Sequence, residues 1–457
     1  MMQLSHICEQ VNGQMQGADV FVRDVSINTR EDCDNRLFVA LKGDNFDAHD
    51  FVEEAAKAGA GAVMVERDVP TDLPSVTVAD THQALKDLAA WWRSQFVIPV
   101  VGVTGSVGKT TVKEMLRAIF SGVGKGVVTA GNLNNEIGVP LTLMHLTPQD
   151  RYAIIEMGMN QAGEISRLTK MTKPTVALVN NAAAAHLEGL GSIEAVANAK
   201  GEIFSGLSAD GVAIINHDDT YADLWKRLAS SQRVITFGLS SGADVTAQYR
   251  EEQDTIVLDV SASEENFSVT IKALGRHSVT NALAAISVAL AANVPVDVIQ
   301  SRLARYKAAR GRLNILRAAG ITIIDDTYNA NPASMEAAIK VLVKHDDSTL
   351  IVGDMAELGD AAEHEHKALG VMAKSLGVST LYACGEFAHL VADSFGTGAN
   401  AFSEQADLLM HLAKHPPANT TLVKGSRSAH MENVVTALCE QSKHPSSSST
   451  LSHMGSA

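Results

Sequence analysis

A chain of 457 residues is too long for one hydrophobic core and calls for two or three domains. Hydrophobic residues at 46% and charged residues at 19% describe an ordinary soluble globular protein. A formal charge of −15 argues against a nucleic-acid or anionic-membrane partner, both of which ask for a basic surface, and leaves room only for a local basic pocket around a phosphorylated ligand.

The N-terminus, MMQLSHICEQ, has no basic-then-apolar secretion signal. The cysteines at 8, 33, 384 and 439 lack C-x-x-C or metal-like spacing and read as buried thiols of a reducing compartment. Residues 1 to about 97 mix strand-like runs (VFVRDVSI, RLFVALKG, GAVMVE) with helix-like ones (FVEEAAKAG, THQALKDLAAWWRSQF). IPVVGVTG at 98 opens a new apolar strand, followed by a glycine turn and the helical run TVKEMLRAIF. RYAIIEMG, TVALVNNA, a helix around SIEAVANAKGEIFSGL, GVAIINHDD and VITFG continue the alternation, which predicts a parallel sheet covered on both faces. The uncharged stretch around 278–296 holds Ser, Thr and Asn, so it suits a buried helix and not a membrane span; a cytoplasmic location without membrane insertion is expected. After GRLN near 311, ITIIDDTYN, SMEAAIKVLVKH, TLIVGDM, TLYACG and TTLVKGS restart the α/β pattern as a third domain. The expected boundaries are 1–97, 98–313 and 314–442, with a Ser-rich, disordered tail at 443–457.

Chemistry concentrates in IPVVGVTGSVGKTT. The pattern G-x-x-x-x-G-K-[ST] would put its first glycine at Val103, and G-x-G-x-x-G fails because Thr104 stands at its second glycine. Strand, turn, Gly108-Lys109-Thr110-Thr111 and helix nevertheless stand in the order of a phosphate-binding loop. Thr104, Gly105, Ser106, Val107 and Gly108 would wrap phosphate oxygens, Lys109 would reach the β- and γ-phosphates, and the Thr110 hydroxyl would face Mg²⁺. Glu156 ends an apolar strand, where doubly wound sheets place ligands, and suits an octahedral Mg²⁺. His186 follows another strand; Lys200, in EAVANAKGEIF, reads by default as a solvated helix surface. Asp325-Asp326 end ITII, Asn331-Pro332 marks a turn, and KGSR at 424–427 offers N–H groups and charge to an anion.

TGSVGKTT in this spacing resembles the loop of the Mur ligases and the folylpolyglutamate synthetases. GNLNNEIGVPLT at 131–142, DDTYNANPASM at 325–335, GDMAELG at 353–359 and VKGSR at 423–427 are similar to one branch of the Mur ligase family. That branch joins D-alanyl-D-alanine to UDP-N-acetylmuramoyl-tripeptide. SINTR at 26–30 and FVALKGDNFDAHDF at 38–51 resemble its uridine-nucleotide-binding domain, with Asn28-Thr29-Arg30 where the family often has Asp-Ser-Arg. The resemblance, which extends to about residue 440, implies three domains: a small α/β uridine-nucleotide domain, a central P-loop ATPase-like parallel sheet and a C-terminal Rossmann-like α/β domain.

The same resemblance implies ATP and Mg²⁺ as cofactors. Lys109, Glu156, His186 and Lys200 would be catalytic; Thr110, Glu156, His186 and a carbamylated Lys200 would serve the metals. Asn281, Arg312 and Asp326 would join the loop (104–111) at ATP. The substrates would meet Ser26, Thr29, Arg30, Lys42, Asp47, His49, Asn132, Asn134 and Asn135, and from the third domain Tyr328, Asn329, Asn331, Lys424, Ser426 and Arg427. The implied chemistry forms an acyl phosphate that the dipeptide amine attacks, in a monomer with small-molecule partners only. Two rivals remain open: another Mur-type ligase acting at an earlier step, and a non-catalytic nucleotide switch. The diaminopimelate-adding ligases carry Asp-Asn-Pro-Arg and a guanine switch wants Asn-Lys-x-Asp; neither tetrapeptide occurs here.

Overall fold

The computed structural model describes residues 2–184, 187–252, 254–262, 265–318, 320–417 and 419–441; His186 and the expected tail lie outside the described residues. The chain divides into two compact units, one of Met1–Arg250, Val257–Ile271 and Val279–Tyr306, the other of Glu251–Ile256, Lys272–Ser278 and Lys307–Ala457.

The first unit begins with a five-stranded sheet, whose strands lie in the order Gln14–Gln16, Ser75–Thr77, Ala62–Val65, Leu37–Val39, Val25–Ser26. Helix α1, Thr81–Ser94, starts where the Asp80 carboxylate accepts from Gln83 N, and its apolar stripe of Ala84, Leu85, Leu88 and Ala89 is buried. That stripe belongs to one core with Leu146, Met171 and Phe204, so the N-terminal sheet and the larger sheet share their hydrophobic interior. Arg93 near the end of α1 is buried, and burial lowers its guanidinium pKa. It donates to the Phe96, Thr172 and Lys173 carbonyls at 2.7, 2.9 and 3.2 Å. Arg93→Met orphans three carbonyls and should cost the unit about 3 kcal/mol. A denaturant midpoint unchanged in the variant would show that water replaces the guanidinium without loss.

Behind it stands a nine-stranded sheet. Strand β1, Val100–Thr104, is fully buried and leads into helix α2, Lys109–Phe120. Strand β2, Ala153–Glu156, helix α3, Glu164–Thr172, strand β3, Val176–Val179, helix α4, Ile193–Gly201, and strand β4, Val212–Asn216, follow. β1 pairs in parallel with β2 on one side and with β3 on the other, and β4 extends the sheet beyond β3. The chain therefore reverses its direction of travel around β1, and the tip of β1 is the topological switch point where doubly wound sheets bind ligands. Strands of continuous Val, Ile and Ala run suit a sheet buried on both faces. Past Arg233–Phe237 the sheet gains the strands Val245–Glu252, Thr255–Ala262 and Glu265–Ile271, an extension the apolar-run reading does not anticipate. Helix α5, Arg276–Ala291, carries fully buried Val279, Ala282, Leu283, Ala284, Ala285, Ile286, Val288 and Ala289, which is the buried helix expected there. Among the described residues no helix is long and apolar enough to cross a membrane.

The second unit is built on a six-stranded sheet. Strand β5, Ile321–Asp326, helix α6, Pro332–Leu342, strand β6, Ser348–Gly353, and strand β7, Thr420–Lys424, form its centre, with β7 parallel between β5 and β6. Asn331 and Pro332, expected as a turn, instead start α6. The Asn331 side chain accepts from Ser334 N, Ser334 Oγ accepts from Asn331 N, and Pro332 occupies the first turn, where its missing N–H costs nothing.

Candidate functional site

The loop between β1 and α2 is held from behind by β3. Asn181 takes Val107 N on its side-chain oxygen (2.9 Å) and Ser106 N on its carbonyl (3.0 Å), and both Asn180 and Asn181 donate side-chain amides to Val107 O at 3.0 Å. Ser106 Oγ accepts from Ala183 N at 2.9 Å, and the Thr104 hydroxyl is committed to Met157 O. The N–H groups of Ser106 and Val107 are thus spent on the scaffold, and the donors left to meet an anion are those of the first turn of α2, which have no intrahelical acceptor. Gly108 has φ 80°. A Cβ there would lie 2.6 Å from Asn180 Nδ2 and closer still to Asn281 Oδ1, so the site demands glycine. Gly108→Ala should weaken ATP binding about tenfold or more through left-handed strain and the push on Asn281. Unchanged ATP affinity in a nucleotide titration would show that the loop yields.

Lys109 folds back on its own loop, donating to Gly105 O at 2.7 Å. Thr110 Oγ1 donates to Glu156 Oε2 at 3.0 Å, and Asn134 Nδ2 to Glu156 Oε1 at 2.8 Å, so the register of β2 against β1 brings a strand-tip carboxylate to the helix start. Glu156 is buried, and Lys113 Nζ stands 3.6 Å from its Oε2. Among the described residues no three of His, Cys, Asp and Glu gather as a metal site. The donors here are one hydroxyl and one carboxylate, hard oxygens that fit Mg²⁺, an ion that keeps water and phosphate oxygens for its other positions. Asn135 spends its side-chain oxygen on Ile137 N and Gly138 N.

Lys200, on α4, is 1% exposed and not on a solvated surface. Burial, and then the charge of Lys109, push its ammonium pKa well below the usual lysine range. The default surface reading fails because α4 presents this position to the core beside Val196, Ala197 and Ala199.

In the second unit Asp325 and Asp326 cap β5. Asp325 accepts from Thr327 Oγ1 (2.7 Å) and Gly311 N (3.1 Å) and so ties the residue just after β5 to the turn at Gly311. Asp326 Oδ1 accepts from Leu313 N, while its Oδ2 is paired at 2.5 Å with Lys424 Nζ, which also donates to Asn329 O at 2.8 Å. Lys424 is 2% exposed, so its charge goes to Asp326 and not outward to an anion. Ser426 is buried against Asp354 O, exposed Arg427 pairs with Glu432 at 3.0 Å, and the Arg312 guanidinium lies 4.1 Å over the Tyr328 ring. Asn331, as the α6 cap, has its side-chain oxygen engaged.

In the N-terminal sheet Ser26 is buried on Asn28, while Thr29 and exposed Arg30 follow it on the same turn. Lys42 and Asp47 face each other across a short antiparallel bridge. His49 is buried, taking Glu66 N on Nε2 (2.8 Å) with Nδ1 2.5 Å from Asp47 Oδ1, so both ring nitrogens are occupied within the fold. The His49 backbone N–H, then its ring, then Arg67 hold the Asp47 carboxyl down at about 2. A depressed carboxylate stabilises above its unfolded value of 3.8 and loses that contribution as pH falls through about 2. The gap in melting temperature between the protein and Asp47→Asn should therefore narrow as pH is lowered from 4.5 toward 2; a constant gap would exclude ionisation as its source.

Three contributors escape the sequence reading: Lys113, Asn180 and Asn181. Lys113 lies one helical turn after Lys109, a spacing that puts both on one face of α2, which was the available signal. The asparagine pair ends the apolar run of β3, at a strand tip like that of Glu156.

Comparison with known proteins bears on this arrangement. The family model for the Mur ligase middle domain matches residues 103–289, and that for the Mur ligase, glutamate ligase domain matches 311–427. The chain is 44% identical over 444 residues to the UDP-N-acetylmuramoyl-tripeptide–D-alanyl-D-alanine ligase of Escherichia coli (strain K12), covering 96% of this chain and 98% of that one. It is 33% identical over 462 residues to the Bacillus subtilis (strain 168) protein of the same name, with 96% and 98% covered. Among solved structures it is similar to MurF from Acinetobacter baumannii, with a TM-score of 0.91, 35% identity and coverage of 95% and 98%. MurF ligase from Thermotoga maritima in complex with ADP gives a TM-score of 0.82 at 27% identity, with 92% and 98% covered.

Proposed function

The chain belongs to the Mur ligase family, and from that premise we propose how its residues serve the reaction. It is an ATP-dependent ligase of peptidoglycan synthesis that joins D-alanyl-D-alanine to UDP-N-acetylmuramoyl-tripeptide through a new C–N bond. The observation that carries the site reading is the Thr110–Glu156 contact at the start of α2, beside Lys109 on a glycine-built loop.

The tripeptide carboxylate and the ATP triphosphate repel each other, so the site must place positive charge between them. Lys109 leaves Gly105 O for the phosphate oxygens, and Thr110 with Glu156 holds Mg²⁺. Bound there, Mg²⁺ supplies charge neutralisation at the phosphates. The carboxylate attacks the γ-phosphorus, releasing ADP and giving an acyl phosphate; the dipeptide amine then displaces phosphate from the carbonyl. The first turn of α2 turns its N–H groups to the phosphates, and Asn134 keeps Glu156 aimed. Lys200, whose ammonium form burial and then the Lys109 charge disfavour, is suited to take up CO₂ as a carbamate with loss of a proton, which would answer the Lys109 charge with an anion. Arg312 and Asp326 are assigned to the nucleotide, His186 to a second cation, and the Ser26–His49 region to the uridine end. We place the enzyme in the cytoplasm, where ATP and the nucleotide precursors are found, as a monomer.

The test is phosphate release from ATP and Mg²⁺ with each component omitted in turn. Release that requires both the tripeptide nucleotide and D-alanyl-D-alanine is expected. Release with a free amino acid and a shorter nucleotide-peptide would move the protein to an earlier step.

A further inference from the structure

Lys113 has no task in the reaction as described, yet it is among the most deeply buried charges of the molecule at 1% exposure. Its ammonium donates to Thr129 O at 2.9 Å and Gly131 O at 3.4 Å, and it stands 3.6 Å from Glu156 Oε2 and 3.5 Å from Glu114 Oε1. The same short segment returns to Glu156 twice more. Thr129 Oγ1 accepts from Glu156 N at 2.9 Å, and Asn134 Nδ2 donates to Glu156 Oε1. Lys113 therefore ties helix α2, residues 129–134 and the tip of β2 at one point. A buried ammonium is expensive to desolvate, and an apolar side chain of the same length would fill this space at less cost if packing were all that mattered.

The position of the charge gives it a use. Glu156 Oε2 has the Thr110 hydroxyl on one side and Lys113 on another, so any cation held by Thr110 and Glu156 shares its carboxylate oxygen with a standing positive charge. At such separations inside a protein, like charges repel strongly. We propose that Lys113 is a positioning residue that sets the divalent-cation affinity of the Thr110–Glu156 pair: it holds the carboxylate in place between turnovers and weakens its grip on the metal, so that metal and ADP can leave. This rests on the reading of Thr110 and Glu156 as cation ligands.

The experiment titrates the full chain with Mn²⁺, an oxygen-seeking paramagnetic substitute for Mg²⁺, by electron paramagnetic resonance with ADP present. The variants are Lys113→Met, Lys113→Gln, Lys113→Arg and Glu156→Gln, each checked for folding by circular dichroism. The neutral Lys113 variants should bind Mn²⁺ about tenfold more tightly and Lys113→Arg within about twofold of the parent, because only the former remove the competing charge. At saturating metal the neutral variants should also show a lowered kcat with little change in KM for ATP, because metal and ADP leave more slowly from the tighter site. A lysine that only supports the fold could lower stability but could not tighten metal binding. Unchanged or weaker Mn²⁺ binding in both neutral variants overturns the proposal. So does failure of both to fold while Lys113→Arg folds, which assigns the charge to folding alone. Mn²⁺ binding that survives Glu156→Gln overturns instead the ligand assignment on which it rests.

Discussion

Lys109→Ala abolishes turnover, lowering kcat on the order of 10³-fold or more, because a phosphoryl transfer that depends on charge neutralisation loses its placed cation. The fold does not pay for the loss. Lys109 donates to Gly105 O and Ser106 O within its own loop, whereas that loop is suspended from the residues just after β3 by Asn180, Asn181 and Ala183. The variant should keep its thermal midpoint and its circular dichroism spectrum while phosphate release falls to background. Lys109→Arg should recover little, since the flat guanidinium fork cannot take the place of a compact ammonium under the glycines. Phosphate release above about a tenth of the parent rate would remove Lys109 from the phosphates and leave Thr110–Glu156 to carry the charge.

Lys424→Met should bring a large loss of stability in the second unit. Lys424 Nζ is paired with Asp326 Oδ2 and hydrogen-bonded to Asn329 O, at 2% side-chain exposure against 14% for the aspartate. Taking away one partner strands a mostly buried carboxylate, which costs about 3 kcal/mol. The loss should appear in the second unit alone, read as faster amide hydrogen exchange in β5 and β7 with the first unit unchanged. The double variant Lys424→Met with Asp326→Leu should recover most of it, since replacing both members of a buried pair by apolar groups is close to neutral. Failure of the double variant to recover would mean that the hydrogen bond to Asn329 O matters more than the charge pair.

The loop, Glu156 and the buried α5 were legible because each rests on local pattern: an apolar run, glycines before Lys-Thr, a carboxylate at a strand end, a long uncharged helix. What escaped depends on partners far along the chain. Lys113 is buried because carbonyls of Thr129 and Gly131 come to meet it, and the sequence around it, TVKEML, looks like any amphipathic helix. Lys200 is hidden for the same kind of reason. Lys424 looked like an anion ligand beside Gly425 and Ser426, and only the parallel pairing of β7 with β5 sets Asp326 against it. The strands at 245–271 were legible in principle: LDVSA within TIVLDVSA and SVTI within ENFSVTI alternate buried and exposed residues, but a search for continuous apolar runs passes over half-exposed strands. Asn331-Pro332 shows how one dipeptide serves two grammars, since it signals a turn by composition and a helix start by its Ser334 partner.

The shared interior of the first unit restricts how this enzyme's gene can be rearranged. Leu88 and Ala89 lie in one core with Leu146 and Met171, Trp92 Nε1 donates to Leu146 O at 3.1 Å, and Arg93 holds the end of α3. The first 97 residues are therefore not a detachable cassette. A chimera that takes them from a relative inherits half an interface, and it will be tolerated only if the donor's residues at 88–93 come together with their counterparts around 146 and 171–173. Recombination between relatives should break this seam rarely, so the N-terminal sheet and the nine-stranded sheet of the enzyme are inherited together.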